Sequence, residues 1–118
     1  MTDPQTAALQ ALLTRVEAGD MTPPKMIVDA FGVRRLSNGW DVIALVRWIE
    51  EGGLEAMGAA KALHEAVLPG WGWVTTQVGA NVEGPTEFYS DSTTNPARAW
   101  LICILRALIA TPADTEGR

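Results

Sequence analysis

A chain of 118 residues with a formal net charge of −5 and 47% apolar residues has room for one hydrophobic core. Charged residues make up 19%, too few for a disordered chain, and Cys103 is the single cysteine, which excludes an internal disulfide and suits a reducing, cytoplasmic setting. The longest apolar run, residues 99–105, falls far short of the roughly 20 residues of a membrane span, and Met1-Thr2-Asp3-Pro4 opens without the basic and apolar regions of a secretory signal.

The acidity is uneven. Residues 1–35 balance four basic against four acidic side chains, residues 36–67 carry five acids against two bases, and residues 68–118 carry five against three. Phosphate repels such a chain, so nucleic acid is a disfavoured partner. A basic protein surface is the better electrostatic match.

Residues 5–18 read as the first helix, because Leu9, Leu12, Leu13 and Val16 form one stripe of a 3.6-residue period and Gly19 ends it. A short second helix follows over residues 23–31. Thr22 is its expected cap, Pro23 its first residue, and Ile27, Ala30 and Phe31 its buried face. Ser37-Asn38-Gly39 leads into a third helix over residues 39–51, with Asn38 as cap and Asp41 near the positive helix end. Val42, Leu45, Val46 and Ile49 form its stripe, while Trp40, Ala44 and Trp48 run alongside. Gly52-Gly53 closes it.

The fourth helix is expected over residues 54–67, with a small-residue face of Ala56, Ala60, Leu63 and Val67 and with Lys61, His64 and Glu65 toward water. Pro69-Gly70 breaks it. From residue 71 to 78 the pattern alternates: Trp71, Trp73, Thr75 and Gln77 toward the helices, Gly72, Val74, Thr76 and Val78 away. Gly79-Ala80-Asn81 and Glu83-Gly84-Pro85 read as turn material, residues 86–90 as the returning strand, and Asp91-Ser92-Thr93-Thr94 as a polar loop. Asn95-Pro96 is a cap followed by proline at the first helical position, opening a helix to Ala110. Only Arg98 and Arg106 interrupt its apolar surface, about 80° apart around the axis. Such a helix must be covered on several sides, and residues 112–118 form a polar tail expected to fray.

These elements define an α+β domain over residues 1–118. A helical part, residues 5–51, precedes a helix–strand–strand–helix unit, residues 54–111, whose small antiparallel sheet packs against helices. The expected core is led by Trp71, Trp73, Val74, Trp100, Leu101, Ile104, Leu105 and Leu108. Residues 61–73, ending Leu68-Pro69-Gly70-Trp71-Gly72-Trp73, and the run Asn95-Pro96-Ala97-Arg98-Ala99-Trp100-Leu101 with its continuation resemble small tailed-phage and prophage proteins of the phage ABA-sandwich domain family. The likeness covers about residues 54–111, with Asn95 in place of the family's threonine and Trp100 at a position where a small or aliphatic residue is commoner. It implies a phage or prophage origin and a small accessory protein, and it names no reaction.

Chemistry is sparse. His64 and Cys103 are the only residues of their kinds, and Cys103 sits on an apolar helix where a thiol is inert. None of Ser37, Ser90 or Ser92 lies in a nucleophile-elbow context, and one histidine with one cysteine is a poor metal set. The Gly70-Trp71-Gly72 stretch lacks the helix and lysine of a phosphate loop. No enzyme, cofactor or metal is therefore expected. Helices 23–31 and 39–51 resemble a helix-turn-helix only superficially. A DNA-binding reading would need Arg34, Arg35 and Arg47, but its second helix offers Asp41, Glu50 and Glu51 to the groove.

Protein binding is the expected function. Trp71, Trp73 and Trp100 are assigned to the core, which leaves Trp40, Asp41, Arg47, Trp48, Glu50, Glu51 and Glu55 as the candidate interface to a host or phage protein. An anti-defence, anti-CRISPR-like inhibitor of a host complex is its most specific form. Its rival is a homo-oligomer or virion accessory protein that self-associates through the C-terminal helix, with Trp100 or Ile102 at the contact.

Overall fold

The computed structural model describes residues 4–76, 79–84, 88–92 and 95–110. Within them the chain runs α1 (Pro4–Ala18), α2 (Pro24–Phe31), α3 (Val42–Glu51), α4 (Ala56–Val67), β1 (Gly72–Thr76), β2 (Gly79–Glu83), β3 (Phe88–Ser92) and α5 (Pro96–Ala110). The three strands form one antiparallel sheet in the order β1-β2-β3, so the chain has the α+β architecture that the sequence predicts. Among the described residues no helix is long and apolar enough to cross a membrane.

The fold is built around α5, which touches α1, α3, α4 and all three strands. Asn95 starts it as expected: its Oδ1 accepts the Arg98 backbone N–H at 3.1 Å while its Nδ2 donates to Ile49 O at 2.9 Å. One side chain thus caps α5 and satisfies a carbonyl at the end of α3. The helix is apolar all round because it is covered all round: Trp100, Leu101, Ile104, Leu105 and Leu108 are buried, as the sequence leads one to expect. Each such side chain removed from water contributes about 1.5–3 kcal/mol. The two arginines that interrupt it tie it to its neighbours. Arg98 donates to Glu50 O at 3.1 Å, and Arg106 reaches both Glu17 on α1 at 2.8 Å and Asp91 on β3 at 3.3 Å.

The expectation of a two-stranded hairpin is corrected by β2. Gly79-Ala80-Asn81, small and turn-like in composition, is part of the middle strand, and Asp91-Ser92 belongs to β3 rather than to a loop. The physical reason is close approach. The Cys103 thiol lies 3.6 Å from Ala80 O, so α5 sits almost on the strand backbone and leaves room there only for small side chains. Residues 77, 78, 85–87, 93, 94 and 111–118, which figure in the expected strands, loop and tail, lie outside the described residues.

Three core assignments also change. Val74 is 50% exposed, Trp73 38%, and Trp71 half-buried. The cause is β1's place at the sheet edge, on the margin of α5, with Val74 on the face turned away from the helices. Trp71 instead covers Gly84, where an added Cβ would come within 2.5 Å of the indole. Trp100 and Ile102 are both buried against the chain's own elements, so α5 presents neither for the self-association envisaged through this helix.

Candidate functional site

The segment between α2 and α3 is a small closed loop built on its own backbone. Arg35 bridges Asp41, Val42 N–H donates to Arg34 O at 2.8 Å, Leu36 N–H to Trp40 O at 2.9 Å, and Gly39 N–H to Leu36 O at 2.9 Å. Gly39 takes φ +88°, a left-handed conformation that its missing Cβ permits. Asn38 does not cap α3. Its Oδ1 accepts from Trp40 N–H at 3.2 Å and its Nδ2 donates to Ala62 O at 2.9 Å, which pins the loop to α4. The cap is Asp41, whose Oδ1 accepts from Ile43 N–H at 2.9 Å and Ala44 N–H at 3.4 Å. Asp41 Oδ2 accepts from Arg34 Nε at 3.0 Å, and that guanidinium, followed by the two backbone donors, holds the carboxyl below its usual range.

This frame projects Trp40 with 46% of its surface exposed. Its ring meets Trp48, two turns along α3, edge to face with centroids 5.8 Å apart and planes at 76°. The structure thus brings together the two indoles that the sequence singles out. Past them, Gly52 turns the chain at φ +72°, and the corner before α4 carries Glu51, Leu54 and Glu55, all exposed. Leu54 is 99% exposed and belongs to this corner rather than to the helix predicted from residue 54.

Glu50 and Arg47 stand differently. Glu50 is buried, its Oε2 accepting from Thr22 N–H at 3.1 Å and from Thr22 Oγ1 at 2.6 Å, its Oε1 from Arg47 at 3.2 Å. It holds the connector ahead of α2 against α3 and presents no carboxylate to a partner. Thr22 is correspondingly not the cap of α2; Pro23 holds that place without a side-chain bond. Sequence reasoning misses this pair because its members are 28 positions apart. Of the three arginines that a nucleic-acid reading requires, Arg34 is paired with Asp41, Arg47 with Glu50, and Arg35 donates to Gly39 O at 2.7 Å.

His64, expected toward water, is buried at 1% exposure in a cage of indoles. A tryptophan N–H only donates, so Trp100 Nε1–H to His64 Nδ1 at 3.1 Å fixes the proton on Nε2, which donates to Trp71 O at 2.9 Å. Trp73 lies tilted against Trp100, centroids 4.7 Å apart and planes at 39°, and edge-on to His64 at 6.3 Å. Desolvation lowers the His64 pKa from its ordinary 6.5. Burial pushes the Cys103 thiol up to about 11, far from a nucleophile's range. Among the described residues no cluster of histidine, cysteine and carboxylates has the makings of a metal site. A separate cleft of about 500 Å³ between α1, α2 and the end of α4 is lined by Leu9, Phe31, Leu36, Val67 and Leu108, and among the described residues Arg35 is the only ionisable side chain on its wall. A lone guanidinium offers no acid–base pair.

No family model, curated protein or solved structure matches the chain.

Proposed function

We propose that this chain is a non-catalytic protein-binding domain that docks through the α3 corner, with Trp40 and Trp48 as apolar anchors and Glu51 and Glu55 as flanking carboxylates. The observation that carries the reading is the Trp40–Trp48 pair. An indole held 46% exposed at the tip of a pinned loop leaves roughly 100 Å² of apolar surface in water, about 2–3 kcal/mol awaiting a partner. The loop's closed hydrogen bonds and its tie to Ala62 keep that anchor in one place, which lowers the ordering cost of association. Glu51 and Glu55 lie outside every ion pair described, so they favour a partner with a basic rim.

The finer reading is a phage or prophage accessory protein acting in the host cytoplasm as an anti-defence, anti-CRISPR-like inhibitor of a host complex. Two things support it: the likeness of residues 61–73 and 95–110 to the phage ABA-sandwich family, and a net charge of −5 suited to blocking a basic surface. The test is capture from nuclease-treated bacterial lysate by the tagged full chain, beside Trp40→Ala and Glu51→Lys. We expect one stoichiometric complex on the parent chain, reduced at least about tenfold on either variant. Equal capture by Trp40→Ala overturns the assignment of this surface.

A further inference from the structure

We propose that β1 is the contact strand of a symmetric homodimer, in which two copies pair antiparallel through this edge with Val74 on the twofold axis. This surface is distinct from the α3 corner and does not rest on that reading. In the order β1-β2-β3, β1 is terminal, so its far edge has no strand beside it among the described residues. Natural edge strands are commonly blunted by charge, proline or a bulge. Gly72-Trp73-Val74-Thr75-Thr76 has no charge and no proline, and its register with β2 runs unbroken. The opposite edge, β3, carries Asp91 held by Arg106. Among the described residues, β1 is the edge that lacks such protection.

The strand is complementary to itself. Placing Val74 against Val74 of a second copy sets Trp73 beside Thr75 and Gly72 beside Thr76, pairs of aromatic with β-branched and of glycine with threonine, none of them like-charged. Directly opposed residues in an antiparallel pair share a face, so both helical layers lie on one side of the joined sheet. The exposed parts of Trp73 and Val74, 38% and 50%, lose water from both faces at once. Two copies of charge −5 repel, so the dimer strengthens as salt is added. A five-residue contact buries less than the ~800 Å² per partner of a stable complex, so association depends on concentration.

Sedimentation of the full chain over a range of concentrations and salt reads this directly. The expected result is a monomer–dimer equilibrium, strengthened by salt and weakened at least about tenfold by Val74→Lys, which places like charges opposite one another. Register is read by oxidative crosslinking of Val74→Cys and Thr76→Cys, with the parent chain and its buried Cys103 as blank. Val74→Cys crosslinks, since opposed Cα atoms fall within disulfide reach. Thr76→Cys does not, since in this register the two positions are offset by roughly 13 Å. A chain that stays monomeric at every concentration overturns the proposal and leaves the edge to a strand of another protein. Equal crosslinking of the two variants overturns the register and with it the twofold at Val74.

Discussion

Adding a proton to His64 should loosen the joint between α4, β1 and α5, because burial sets the sign of the effect and the bond to Trp71 O opposes it. Nδ1 already accepts from Trp100 Nε1–H at 3.1 Å, so a second proton there faces another donor inside a site that is 1% exposed. Desolvation lowers the pKa; the bond to Trp71 O and the Glu65 charge oppose it without reversing it. The unfolded chain therefore binds a proton near pH 6.5 that the folded chain refuses. Stability from this group is full above pH 6.5, falls as acid is added, and levels off once the lower folded pKa is reached. One proton limits the slope to about 1.4 kcal/mol per pH unit. Asp41, held low by Arg34, gives up its own contribution only below pH 3.8, outside this window. Urea unfolding followed by far-UV circular dichroism from about pH 8 to about pH 5 measures the slope. Trp100→Phe removes the N–H that Nδ1 accepts, so it should cost about 1–3 kcal/mol at the alkaline end, while the acid slope, which burial sets, persists. A parent chain with no slope below pH 6.5 refutes the assignment.

Glu50→Ala should destabilise the fold by about 3 kcal/mol or more, because it strands the buried Thr22 donors and unpairs Arg47; a loss under about 1 kcal/mol in denaturant titration contradicts that role. Asn95→Ala removes the α5 cap and the Ile49 carbonyl's donor together, for about 1–2 kcal/mol by the same measurement, and a neutral result counts against both bonds. Cys103, fully buried with its thiol pushed up to about 11, should react with a thiol reagent no faster than the chain unfolds; rapid labelling of the native protein excludes the packing described for α5.

What was legible in the sequence is what local chemistry fixes. Asn95-Pro96 starts α5 because the cap and the proline act within one turn, and the helix's apolar circumference announces its central place. Spacing points to the Trp40–Trp48 pair, although Trp40 precedes the Asp41 cap and is carried by the loop rather than by α3. Illegible were the features settled by partners far along the chain. The His64 position depends on Trp100, 36 residues away, and that of Glu50 on Thr22, 28 residues away. Periodicity alone puts His64 on a wet face, and two adjacent acids at a helix end read as solvated. Gly79-Ala80-Asn81 has turn composition because α5 demands small side chains at that strand, a constraint visible only once helix and strand are packed. Val74 is apolar enough to read as core, yet it falls on the outward set of the alternation in an edge strand, and that place decides its exposure.

The most direct test of the docking surface is side-chain footprinting of the tagged chain, free and in complex with whatever it captures, by hydroxyl radicals and mass spectrometry. We predict protection concentrated on Trp40, Trp48 and Leu54, with the outward face of β1 at Val74 unchanged in the partner complex. Protection confined to other surfaces, with Trp40 as reactive in the complex as in the free chain, contradicts the α3 corner as the binding site.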